Sequence, residues 1–200
     1  MRVSEARQAT RRLPAEERRE EIIRAALRVF TATSYAGATT AEIAREAGVT
    51  EPILYRHFAS KRALWLACLD VAWDETRAML QEKIALYTAG ADARGRVRSP
   101  WRSAQMPNLW IQGLTEGDGD TVVRRAIRRH MREVHDFVAD EIRRGQVAGV
   151  IPADRDANAE AWVFIAGGLL RSVADRLGGV LSAGDLEAIS RERVRWLTGS

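Results

Sequence analysis

Cysteine is almost missing from these 200 residues: Cys68 stands alone, which excludes an internal disulfide and fits a reducing compartment. Lysine is nearly as scarce, since Lys61 and Lys83 are the only two among 31 Lys and Arg. An arginine bias of that kind reads as a G+C-rich coding sequence rather than as recognition of nucleic acid. No apolar run approaches the ~20 residues of a membrane span. Arg2, Glu5, Arg7, Arg11 and Arg12 have no apolar stretch behind them, so no secretory signal is expected. There is no alternating segment of useful length and no Asn-Gly or Asp-Gly hairpin turn, which argues against sheet. HExxH, GxSxG, P-loop and GxGxxG motifs are absent, so neither an enzyme nor a cofactor is expected. His130 and His135 are five residues apart and fall on different helix faces, so no metal site is expected from them. What these absences leave is a cytoplasmic, all-α protein with no membrane segment.

Apolar residues make up 46% of the chain, enough for a sizeable core. Their spacing is helical. Residues 14–33 open with Pro14 and the acids Glu16, Glu17, Glu20 and Glu21, which suit a helix start. Ile22, Ile23, Ala26, Leu27, Val29 and Phe30 then line one face. Short helices are expected at about 40–47 and 51–57, separated by Gly48 and Val49, and a longer one from Ser60, a suitable N-cap, to about Thr88. Residues 89–100 read as a Gly- and Arg-rich loop. Helical pattern returns at about 101–115, at 119–146 as one helix or two, at 156–177 and at 185–197. The count is about nine helices.

Charge divides the chain. Residues 1–62 hold 12 basic and 8 acidic side chains, whereas the remainder holds 19 of each. The whole excess of +4 therefore lies on the N-terminal third, as in a nucleic-acid-binding module joined to a neutral domain. The expected division is a helix-turn-helix domain over 1–62 and a ligand-binding and dimerisation domain over 63–200.

Residues 39–64 carry the function: TTAEIAREAGVTEPILYRHFASKRAL. Ile43, Ala44 and Ala47 form the inner face of a two-turn helix, and Gly48 permits the left-handed backbone that ends it. Val49 plugs the corner. Thr50 is placed to cap a second short helix whose inner face is Leu54 and Phe58. Two short helices joined by a tight Gly-containing turn make a helix-turn-helix, whose second helix enters the major groove. On that geometry Thr50, Glu51, Pro52 and Arg56 face DNA, Tyr55 and His57 reach phosphates, and Lys61 adds an ammonium beside the next helix N-terminus. Glu51 either accepts from a cytosine amino group or pairs with Arg56.

The run Gly48-Val49-Thr50, Leu54-Tyr55, His57-Phe58, Ser60-Lys61 and Leu64, with Thr39-Thr40 and Ile43-Ala44 before it, resembles the signature of the TetR (tetracycline-repressor) family. The resemblance implies phosphate contacts from Thr40, Tyr55, His57 and Lys61, and base or groove contacts from Thr50, Glu51, Pro52 and Arg56. It departs at position 41, where Ala stands in place of the base-reading Arg of some members. It further implies a homodimer formed by the last two helices, and a repressor released from a palindromic double-stranded DNA operator by a small-molecule effector.

Trp101, Met106, Trp110, His130 and Trp162 lie on helices of the C-terminal part, where aromatic and flexible side chains are candidates for lining an effector pocket. Ala161, Ile165, Leu169 and Val173, with Gly167 and Gly168, form one face of the penultimate helix, and Leu186, Ile189, Val194 and Leu197 one face of the last. These two faces are the expected dimer contact. An enzyme and a membrane-surface protein using its Arg-rich N-terminus are the competing classes; the latter would bind anionic vesicles as well as duplex DNA.

Overall fold

The computed structural model describes residues 14–88, 106–116 and 120–199. Among them there are eight helices and no strand. These are α1 (Ala15–Ala32), α2 (Thr40–Glu46), α3 (Glu51–His57), α4 (Lys61–Thr88), α5 (Met106–Glu116), α6 (Thr121–Val147), α7 (Ala157–Leu177) and α8 (Ala183–Thr198). The expected count of about nine allowed for a break within 119–146, but α6 is one continuous helix. Its interior has no Pro, and its only Gly, Gly145, sits in the last turn. The expected loop at 89–100, its arginines Arg94, Arg96 and Arg98, and residues 101–105 lie outside the described residues.

Local signals set the boundaries. Pro14 precedes α1, with Glu16 and Glu17 in its first turn. Ser60 accepts from the Ala63 amide at 3.1 Å and so caps α4. Asp120 and Asp156 cap α6 and α7 in the same way. Helix α8 begins two residues before the expected start because Ser182 and Asp185 form a reciprocal capping box. Past α6, Gly149 takes φ +71°, a left-handed backbone that favours Gly and closes the helix.

Among the described residues one apolar core connects α1 through α7. Ile22, Ile23, Ala26, Leu27 and Phe30 of α1 are buried as the pattern requires, and they meet Ile43, Ala44, Leu54 and Phe58. Helix α4 continues that core with Leu64, Trp65, Cys68, Leu69 and Trp73. Helices α5, α6 and α7 extend it with Trp110, Val134, Ala161 and Ile165. Cys68 is fully buried, and burial pushes its thiol up, far from thiolate reactivity.

Polar links reinforce the core. Gln112 of α5 donates to the Phe30 carbonyl of α1 at 2.7 Å from a buried position. Arg62 at the start of α4 pairs with Asp120, the N-cap of α6, at 3.0 Å.

Candidate nucleic-acid interface

Helix α2 starts with a complete capping box: Thr39 accepts from the Glu42 amide at 3.2 Å, and Glu42 accepts from the Thr39 amide at 3.0 Å. The Thr39 amide, and after it the Thr39 hydroxyl at 2.9 Å, donate to the Glu42 carboxylate and hold it below its ordinary range. At the other end Gly48 adopts φ +65°, and the Val49 amide bonds back to the Ala44 carbonyl at 2.9 Å. The tight turn thus needs Gly for its backbone and for no other reason, since a Cβ there would meet nothing within 4 Å. Ile43, Ala44 and Leu54 are buried beneath the turn and Val49 is half-buried, which fixes α3 on the outside of the unit. Arg28 of α1 pairs with Glu46 at 2.7 Å, and Arg19 stacks over Phe58 at 5.0 Å, holding α1 against both helices.

Thr50, Pro52, Tyr55 and Arg56 are exposed, while Thr40, Glu51, His57 and Lys61 are half-buried. Thr50 occupies the N-cap position of α3, but its side chain makes no capping bond there, contrary to the expectation from sequence. Arg56 is exposed in the last turn of α3. The two alternatives for Glu51 did not include the partner it has. Its carboxylate accepts from the Thr40 hydroxyl at 2.6 Å, and among the described residues no ion pair joins it to Arg56. The same Thr40 oxygen lies 3.2 Å from the Tyr55 hydroxyl. Lys61 reaches across to the loop between α1 and α2, donating to the carbonyls of Tyr35 at 2.8 Å and Ala38 at 3.0 Å, with its ammonium 4.8 Å from the Tyr35 ring centre. An ammonium has three protons, so one remains for an external anion. Neither the Thr40–Glu51 bond nor the Lys61 bonds have a sequence signal: both join separate elements, and helical periodicity is silent about them.

The candidate effector residues are distributed unevenly. Met106, Trp110 and His130 are all buried, and the Trp110 indole donates to His130 Nδ1 at 3.0 Å. Accepting at Nδ1 leaves the ring proton on Nε2. Burial, aided by the nearby Arg129 charge, pushes the His130 imidazole down to about 4. Trp73 of α4, absent from the sequence-derived set, packs edge-on against both His130 and Phe137, with ring centres 6.1 Å and 5.4 Å away. Trp162 is elsewhere: 45% exposed on α7, it stacks on His135 at 4.5 Å. Trp101 lies outside the described residues.

The expected dimer face on α7 is split. Ala161 and Ile165 point into the protomer and are buried, whereas Val163, Leu170, Val173 and Leu177, spaced by seven, three and four residues, form an exposed apolar stripe. No residue of α8 is fully buried, and Ile189 and Trp196 are exposed. Helix α8 is tethered to α7 through the buried Glu160, which receives Arg193 and the Trp196 indole, the latter at 2.9 Å. Among the described residues no helix is long and apolar enough to cross a membrane, and no three His, Cys, Asp or Glu side chains are grouped to hold a metal.

Comparison with known proteins agrees with this geometry. Residues 22–68 match the model of the family described as bacterial regulatory proteins, tetR family. The HTH-type transcriptional regulator SrpR of Pseudomonas putida is 33% identical over 159 residues, covering 75% of this chain and 71% of that protein. The HTH-type transcriptional activator FasR of Mycolicibacterium smegmatis is 40% identical over 88 residues, covering 44% of this chain and only 39% of that protein. Among solved structures, the transcriptional regulator FadR of Bacillus subtilis in complex with stearoyl-CoA shares the fold, with a TM-score of 0.63 at 16% identity over 90% of this chain and 97% of that one.

Proposed function

The chain belongs to the tetR family of bacterial regulatory proteins, DNA-binding transcriptional regulators, and from that premise we propose that it is a homodimeric repressor released from a palindromic operator by a small-molecule ligand. The observation that carries the DNA half of this reading is the outer face of α2–α3. Thr50, Pro52 and Arg56 are exposed there toward base edges, Glu51 is half-buried between them, and Thr40, Tyr55, His57 and Lys61 flank them toward the phosphates. The unit is residues 1–62, with the remaining 63–200 forming the effector and dimer domain.

The dimer reading is supported by the uncovered stripe of Val163, Leu170, Val173 and Leu177 beside Ile189 of α8. A second copy related by a two-fold axis covers this stripe and sets two α3 helices in successive major grooves, roughly 34–36 Å apart. The effector reading is supported by the Trp73, Trp110 and His130 cluster. Met106 is buried in the core, Trp162 is an outlying candidate, Trp101 is a candidate outside the described residues, and the FadR structure holds stearoyl-CoA in the same fold.

Reciprocity between ligand and DNA tests the whole reading. All six tryptophans lie beyond residue 62, so intrinsic fluorescence reports ligand entry into the C-terminal part. A ligand found by screening is titrated into free and operator-bound protein. Its affinity falls in the bound form by the factor, ~5–150-fold, by which it weakens DNA binding. Equal ligand affinities in both titrations refute ligand release. A promoter reporter with the gene deleted reads the sign: expression rises on deletion for a repressor.

A further inference from the structure

The Thr40 hydroxyl has one proton, and the 2.6 Å bond to Glu51 Oε1 takes it. At the 3.2 Å contact with Tyr55 the threonine oxygen can then only accept, so the phenol donates. The bonds run from Tyr55 to Thr40 to Glu51 and end on a carboxylate at the first residue of α3. The two hydroxyl protons that the DNA reading assigns to backbone phosphates are thus already committed inside the protein, the Tyr55 proton to the Thr40 oxygen and the Thr40 proton to the Glu51 carboxylate. The acceptor at the end of the chain is of the same chemical kind as a phosphate oxygen: anionic and served by an O–H donor.

We propose that Glu51 is a positioning residue that competes with DNA phosphate for the Thr40 and Tyr55 hydroxyls, lowering affinity for every duplex alike and reading no base. When the two hydroxyls turn to a phosphate, the Glu51 carboxylate loses its partner and stands beside a second anion. The cost depends on the backbone and not on the sequence, so operator and unrelated DNA bear it equally. The ratio of operator to unrelated affinity is therefore unchanged, while the affinity for both is set lower. The inference rests on the reading of α2–α3 as the DNA interface and adds a residue that tunes how tightly that interface holds the backbone.

The test is a fluorescence-anisotropy titration of the full chain against a selected operator duplex and a scrambled duplex of equal length. Glu51→Gln keeps the shape and replaces the carboxylate by a weaker, neutral acceptor; the Thr40 and Tyr55 hydroxyls then turn to phosphate more readily, and both duplexes tighten by similar factors, roughly three- to tenfold. Thr40→Val weakens both, and in that background the Glu51→Gln gain falls to less than half, since the hydroxyl it freed is gone. Thermal unfolding verifies each variant, and Glu51→Ala carries the same comparison in place of a Gln variant that does not fold. A loss confined to one base pair makes Glu51 a base reader and overturns the inference. So does an unchanged affinity, or a gain undiminished by Thr40→Val. Failure of the wild type to bind any duplex removes the DNA reading together with the inference; normal wild-type binding with an indifferent Glu51→Gln removes the inference alone.

Discussion

Lowering the pH from 7 to 5 should destabilise this protein through one buried ring. His130 is 1% exposed, accepts the Trp110 indole proton at 3.0 Å, and titrates at about 4 because burial opposes its charged form. The unfolded imidazole titrates near 6.5, so as pH falls the unfolded chain takes up the proton first. The folded value is the depressed one. Stability from this residue is therefore complete above pH ~6.5, declines as pH falls toward about 4, and levels off below. Between pH 7 and pH 5 the two titration curves differ by about 2 kcal/mol, a large part of the ~5–15 kcal/mol that holds a typical domain together. Urea unfolding followed by tryptophan emission measures this, at one fixed protein concentration because a dimer's stability depends on it. His130→Gln retains an acceptor for the indole and cannot titrate. The difference between wild type and variant isolates His130, since carboxylates and the other two histidines contribute to both. The gap should change by about 2 kcal/mol over that range. Parallel stability curves would show that His130 is charged, or solvated, in the folded protein, and the account of this core would be wrong.

Lys61→Ala should act on two observables. The slope of log affinity against log salt should fall by ~0.9 per half-site, and stability should drop by ~1–3 kcal/mol because the Tyr35 and Ala38 carbonyls lose their donor. An unaltered salt slope refutes the phosphate contact. Arg56→Ala should change preference at one base pair per half-site by ~1–3 kcal/mol, measured on a panel of operator variants; equal loss on all of them makes Arg56 a backbone contact. Gly113→Ala should cost ~1–3 kcal/mol in thermal unfolding, because its Cβ would sit 2.5 Å from Ile127 Cδ1 and 2.6 Å from the Trp65 ring. An unchanged melting temperature there would mean that α5 is free to move away from α4 and α6.

The sequence was most legible where physics is local. The Ile22–Phe30 face, the positive-φ turn at Gly48, the Ser60 cap and the ends of α6 each depend on residues a few positions apart, and the structure has them where spacing put them. Contacts between elements were not legible. Glu51 and Thr40 are eleven residues apart, Gln112 and Phe30 eighty-two, and no periodicity links such pairs. Helix α7 shows an intermediate case. Its apolar residues occupy nearly the whole circumference, so pattern alone could not separate the inward Ala161 and Ile165 from the outward Val163 and Leu170. Trp73 was overlooked for a similar reason: its partners His130 and Phe137 come from a helix far along the chain.

The central claim is that the α2–α3 face is a sequence-specific DNA interface presented in duplicate. Selection of the full chain against a pool of random duplexes, followed by footprinting of the enriched sequence, tests it most directly. The account predicts a two-fold symmetric sequence with half-sites about one helical turn apart, protected together, and an affinity that falls steeply with salt. A pool that yields no preferred sequence, with anionic lipid vesicles bound as tightly as duplex DNA, would contradict it.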